Sequence, residues 1–134
     1  MKASLFCYGT LQAKEIIDTI TGLSLQGSPA TLQGFGCYRV KKAVFPGILP
    51  EAQGQVVGTF YTGLHGQALQ RLDAFEGELY LRQQVTIIND KRQPTSAWAY
   101  VIKQHCRHLL TREPWYYEDY EDRFLARFRN MRNV

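Results

Sequence analysis

The sequence predicts an α+β fold, a small mixed sheet of five strands curled towards a barrel with flanking helices. Three observations predict it. Apolar residues alternate in some segments and recur at helical spacing in others, which gives the order β-α-β-β-α-β-β-α. The last two strands flank the turn-like Asn89-Asp90-Lys91-Arg92 and so form a hairpin. No repeat, low-complexity tract or linker interrupts the 134 residues, which read as one domain, 1–134, large enough for a hydrophobic core.

The elements follow in order. Leu5-Phe6-Cys7-Tyr8 is apolar and aromatic, as a buried strand should be. Gly9 breaks it, and Thr10 is a residue type that caps helices. Gln12 to Thr21 carries Ile16, Ile17 and Ile20 on one helical face, and Gly22 ends the pattern. After the break Gly27-Ser28-Pro29, Ala30 to Val40 reads as a strand. Its glycines, Gly34 and Gly36, point to a bulge, a bend or the close approach of another backbone. They do not make a dinucleotide-binding GxGxxG, because the third position is Arg39.

Lys41 to Gln53 reads as an irregular excursion, since Phe45-Pro46-Gly47 and Pro50 do not suit a central strand. Its apolar Phe45, Ile48 and Leu49 imply that it covers the core or walls a pocket. Gln55 to Tyr61 is a strand. Leu64, Ala68, Leu69, Leu72 and Phe75 then mark an amphipathic helix, with Gly77 placed as its left-handed terminator. In Leu81 to Ile88, Leu81, Val85 and Ile87 face one way and Arg82, Gln84 and Thr86 the other. Ser96 to Ile102 alternates through Trp98, Tyr100 and Ile102. Lys103 to Pro114 is polar and reads as loop. A closing helix spans about 118–130, with Tyr117, Tyr120, Phe124, Phe128 and Met131 on a face that docks on the sheet.

Composition narrows the class. No run approaches the ~18 apolar residues of a membrane span. Met1-Lys2-Ala3-Ser4 leads straight into a strand, without the longer apolar core of a secretory signal, so a cytoplasmic protein is expected. Three cysteines, Cys7, Cys37 and Cys106, cannot all pair and lack CxxC spacing, so they read as reduced thiols. The net charge of +4 is concentrated near the C-terminus in Arg123, Arg127, Arg129 and Arg132. No nucleic-acid motif accompanies it, and a solvated helix face is the simpler reading. His105-Cys106-Arg107-His108 lacks a second cluster to complete a metal site. Cys7 is turned away from the side that Tyr8 faces, so it reads as a buried structural thiol.

Two stretches carry possible chemistry. The first is Tyr8-Gly9-Thr10-Leu11, between a strand and a helix. Such a loop directs successive N–H groups at one spot near a positive helix end, a cradle for a carboxylate or a developing oxyanion. The bland alternative is a glycine that only makes the turn. The second is Leu72-Asp73-Ala74-Phe75-Glu76-Gly77. Glu76 falls in the last turn of its helix, beside the apolar Phe75 and Leu79. The dipole's negative end and partial burial both raise a carboxyl pKa towards the range useful for proton transfer. The alternative is an exposed helix-end glutamate that titrates normally. Tyr80 and Arg82 share a strand face, where they orient a polar substrate, hold Glu76, or simply form the polar side of an edge strand.

Taken together, Tyr8-Gly9-Thr10-Leu11, Phe45-Pro46-Gly47, Leu72-Asp73-Ala74-Phe75-Glu76-Gly77 and Tyr80-Leu81-Arg82 resemble the gamma-glutamylcyclotransferase-like superfamily, in its AIG2-like branch. The resemblance extends to the aromatic closing region, Trp115 through Phe128. It implies a small mixed β-barrel with flanking helices. It implies an enzyme that cleaves a small gamma-glutamyl amide by cyclisation, giving 5-oxoproline and a free amine. It further implies Glu76 as general base and then acid, the Tyr8, Gly9, Thr10 and Leu11 loop as the binder of the glutamyl moiety, and no metal or organic cofactor. Tyr80 is expected to close the pocket and Arg82 to orient the residues around it.

Two readings from other classes remain. One is a non-catalytic module that binds a small carboxylate on the same fold. The other is an interaction domain built on the aromatic, basic closing helix. The expected partner is a small gamma-glutamyl substrate, with no nucleic acid and no membrane; the oligomeric state is not legible in the sequence.

Overall fold

The computed structural model describes residues 2–132. Strands β1 (Ala3–Cys7), β2 (Gly27–Val40), β3 (Pro46–Leu64), β4 (Tyr80–Ile88), β5 (Pro94–Ile102) and β6 (Leu110–Pro114) are joined with helices α1 (Lys14–Thr21), α2 (Gly66–Glu76) and α3 (Tyr117–Arg132). The strands run in the order β3-β1-β5-β4-β2, and β2 pairs back onto β3. This closes a five-stranded barrel, to which β6 adds alongside β2. The β1–β5 pair is parallel and the others are antiparallel, so the sheet is mixed as expected. Closure pairs strand edges that an open sheet would leave exposed.

The period-two pattern sorts two cores. Phe6, Leu32, Ile48, Val56, Val85, Ile87, Ala99 and Val101, all from β1–β5, form a cluster with Tyr8 in the barrel interior. Leu5, Ile16, Ile17, Leu64, Leu72, Ile102 and Phe124 form the other, between the barrel and the helices. Strand β5 is buried on both faces. Ala97, Ala99 and Val101 point inwards, while Tyr100 and Ile102 pack under the helices. Leu81 shares the parity of Val85 and Ile87 but lies outside both clusters and is 55% exposed.

The segment 41–53 differs from the expectation. Only residues 41–45 form a turn, and β3 begins at Pro46. The β2–β3 hairpin then pairs from Arg39↔Pro46 to Gly27↔Tyr61, with a bulge between Gln33 and Phe35 at Gly34. The prolines are tolerated because β1 pairs with β3 only along Thr59–Leu64. Near Pro46 and Pro50 the other edge of β3 is open, so no ladder donor is missed there.

The supposed loop 103–114 also differs. It holds a 3-10 turn (Gln104–Leu109) and β6, which pairs with β2 at Tyr38↔Pro114 and Val40↔Leu110. That pairing is made by backbone groups, which polar side chains do not announce. Next to it Trp115 is buried, donates its indole N–H to the Val44 carbonyl at 2.9 Å, and stacks on Tyr120 at 5.6 Å. Towards the far end of α3, Arg129 forms a bidentate pair with Glu15 of α1 at 2.7 and 2.9 Å. Among the described residues no helix is long and apolar enough to cross a membrane.

Candidate active site

The loop after β1 starts from Tyr8, whose side chain is buried and whose hydroxyl donates to the Tyr100 carbonyl at 2.5 Å. Gly9 has φ −118°, so it is not needed for a left-handed conformation. A Cβ there would lie 3.1 Å from Cγ and Cδ of Pro46, and this close approach is what favours glycine. Thr10 does not cap α1. Thr10–Gln12 instead form a 3-10 turn, in which the Gln12 and Ala13 N–H groups donate to the Gly9 and Thr10 carbonyls at 3.1 Å. Helix α1 starts only at Lys14, with Ala13 as its N-cap. Among the described residues the Thr10 and Leu11 N–H groups have no hydrogen-bond acceptor, as expected for the first residues of a helical turn. Among the described residues these unpaired N–H groups thus lie on the turn itself, rather than at the start of α1.

Glu76 is the last residue of α2, and Gly77 follows with φ 77° and ψ −156°. The φ is positive as expected, but the ψ lies outside the left-handed helical well, in a region open chiefly to glycine. The chain therefore turns sharply at Gly77 and leads through a 3-10 turn, Gly77–Leu79, into β4. Glu76 is partly buried. Burial pushes its carboxyl from the ordinary 4.5 up to about 8. Among the described residues no cation pairs with it.

Tyr80 is buried, and its hydroxyl donates to the Pro46 carbonyl at 2.5 Å. With the Trp115 bond to Val44, this fixes both ends of the short segment 44–46. Arg82 does not hold Glu76. It pairs with Asp73, one turn earlier on α2, at 2.8 and 3.3 Å, and lies over the Trp98 ring at 4.4 Å. The Tyr100 hydroxyl also donates to Asp73, at 2.7 Å. Burial alone would raise the Asp73 carboxyl, but Arg82 and Tyr100 outweigh it and hold it below its usual value.

These elements enclose a cavity of about 310 Å³, a size suited to a small molecule. Tyr8, Gly9, Thr10, Leu11, Glu76 and Tyr80, the six residues singled out from the sequence, all line it. So does the segment Val44, Phe45 and Pro46, which makes the 41–53 region in part a pocket wall. The sequence did not reveal that α3 closes this side, with Phe124, Arg127, Phe128 and Met131 facing the cavity. Phe75 and Phe128 meet edge-to-face across the α2–α3 junction at 6.4 Å. Burial drives the Cys7, Tyr8 and Tyr80 side chains on the wall upward, with Glu76 adding to each. The signal for α3 was present in its aromatic stripe, which reads equally well as packing onto a sheet. The Asp73 partners had no local signal, since Arg82 and Tyr100 lie on other elements. Cys7, Cys37 and Cys106 are free thiols, and among the described residues no three His, Cys, Asp or Glu side chains gather as a metal set.

The chain is similar to known proteins along most of its length. The sequence profile described as "Gamma-glutamyl cyclotransferase, AIG2-like" matches residues 5–122. AIG2-like protein C of Arabidopsis thaliana is 34% identical over 100 residues, covering 74% of this chain and 58% of the relative. Across four such Arabidopsis relatives the match spans only 53–59% of their length. A solution structure from Arabidopsis thaliana superposes with a TM-score of 0.77 at 25% identity, covering 98% of this chain and 82% of that one. A structure named gamma-glutamyl cyclotransferase has a TM-score of 0.67 at 18% identity, covering 77% and 68%, and so shares the fold. By its profile match over residues 5–122, the chain belongs to the gamma-glutamyl cyclotransferase, AIG2-like family.

Proposed function

We propose that the protein is a gamma-glutamylcyclotransferase that converts a small gamma-glutamyl amide to 5-oxoproline and a free amine, with Glu76 as general base and then acid. The observation that carries this reading is a carboxyl group raised to about 8, with no cationic partner among the described residues, lining the same cavity as the Gly9–Leu11 turn. In the reaction the substrate's α-amine attacks its own γ-carbonyl carbon. A lactam C–N bond forms, the amide C–N bond breaks, and the proton lost by the attacking nitrogen ends on the departing one. One carboxylate whose pKa is near the working pH performs both transfers in turn.

Ring closure is intramolecular, so the protein's main task is to hold the glutamyl chain folded. Such positioning is worth effective molarities on the order of 10⁵ M or more. The Thr10 and Leu11 N–H groups are available to the substrate carboxylate or the oxyanion. Tyr8 and Tyr80 spend their hydroxyls on backbone carbonyls, so on this reading they shape the wall while the turn binds the substrate.

The test is mass-spectrometric detection of 5-oxoproline from a panel of gamma-glutamyl amino acids and amines, with Glu76→Gln in parallel. Product from the parent protein and none from the variant is expected. Product formation unaffected by Glu76→Gln would sink the mechanism. Ligand binding without product from any substrate would favour the carboxylate-binding module instead.

A further inference from the structure

Helix α3 presents residues 124, 127, 128 and 131 to the cavity, the i, i+3, i+4, i+7 stripe of one helical face. Three of these, Phe124, Phe128 and Met131, are apolar; the fourth is Arg127. It is therefore a cation set into a hydrophobic stripe. The other basic residues of α3 whose side chains are described are engaged: Arg123 lies over the Tyr120 ring at 5.2 Å and Arg129 pairs with Glu15. Arg127 has no ion pair or hydrogen bond among the described residues. It is solvent-exposed, whereas Gly9 and Thr10 are half-buried and Tyr8 and Leu11 are buried, so of these lining residues Arg127 stands nearest the cavity mouth. Glu76 and Arg127 are the two ionisable acid–base side chains of opposite sign on the lining, and they are not paired with each other.

We propose that Arg127 is a specificity-determining residue that receives a carboxylate on the departing amine, so that gamma-glutamyl amino acids are preferred over uncharged gamma-glutamyl amides. This rests on the cyclotransferase reading. With the glutamyl end held at the Gly9–Leu11 turn and the scissile bond at Glu76, the leaving group points to the mouth. A guanidinium there offers a planar fork that matches a carboxylate. Because Phe124 and Phe128 are buried on either side of it in sequence, the helix is held in the phase that keeps Arg127 on the lining.

The experiment compares gamma-glutamyl-alanine with its C-terminal amide, two substrates of nearly equal size that differ by one charge. The parent protein should prefer the acid by about tenfold or more in kcat/KM, as expected for a charge-assisted contact. Arg127→Gln should collapse that preference, chiefly by slowing the acid, and Arg127→Lys should keep part of it. A changed substrate ratio cannot come from a general loss of fold. A parent enzyme indifferent to the charge, or a preference that survives Arg127→Gln, overturns the proposal while leaving the reaction intact. Should neither substrate turn over, calorimetry on the parent decides: tighter binding of the acid that is lost in Arg127→Gln supports the carboxylate site even as the reaction fails. No binding of either compound overturns both.

Discussion

Two carboxylates stand one turn apart on the same helix and are treated in opposite ways. Asp73 accepts from Arg82 and Tyr100, and these partners hold it below its ordinary pKa. Glu76, three residues on, has neither kind of partner among the described residues, and burial pushes it to about 8. Their distance from the end of α2 does not account for this. The partners do: β4 and β5 deliver a guanidinium and a hydroxyl to Asp73, while the wall around Glu76 is built of aromatic and aliphatic groups. A fixed charge and a transferable proton thus come from one helix through what faces it. The first anchors α2 to the barrel; the second lines the cavity without a partner among the described residues.

The sharpest way to break this contrast is to neutralise each carboxylate in turn. Glu76→Gln should lower kcat by about 10³-fold, within the range for a lost general acid–base. Asp73→Ala should reduce turnover only several-fold in the same 5-oxoproline assay. Equal losses would mean that the two groups work as a unit. Next in size is the pH dependence. On the proposed mechanism the free base form of Glu76 is the active one, so kcat/KM should rise about tenfold per pH unit below the midpoint and level off above about 8. A midpoint near the ordinary 4.5 would show that the cavity does not perturb the group.

Stability sharpens the contrast further. Asp73→Ala strips the acceptor from the Tyr100 hydroxyl and should cost about 1–2 kcal/mol in denaturant unfolding. Glu76→Gln should do the reverse at high pH. Between about 4.5 and 8 the folded protein keeps the Glu76 proton and the unfolded chain has lost it. The parent therefore loses stability as pH rises through that window, and the loss is complete above the folded pKa. The variant carries no such proton, so its Tm should gain on the order of 10 °C on the parent between pH 5 and pH 8.5. A constant difference across that range would contradict the raised pKa.

Much of the cavity lining was legible because its residues lie close in sequence. Tyr8 to Leu11 and Asp73 to Tyr80 are short runs whose turn chemistry and helix ending follow from local rules. The glycine at position 9 was read as a break from local rules alone, whereas its crowding by Pro46, 37 positions away, had no local signal. Thr10 looked like a cap because threonine often is one; the 3-10 turn displaced the start of α1 to Lys14. The Arg82 partner was misjudged because strand parity gives the face of a side chain and not which turn of a helix it meets.

By itself the sequence determined the strand and helix periodicity, the sorting of Phe6, Val85 and Ile87 from Leu5, Ile16 and Leu72, and a carboxyl at the end of an amphipathic helix. These depend on spacing between near neighbours, which fixes which side of an element each residue occupies. The tertiary structure decided the rest: closure of β2 onto β3, the addition of β6, the choice of Asp73 for Arg82, and the laying of α3 across the cavity with Arg127 on its inner stripe. Each of these brings together groups distant along the chain, where the pKa of a carboxyl and the use of a guanidinium are set by what lies opposite in space.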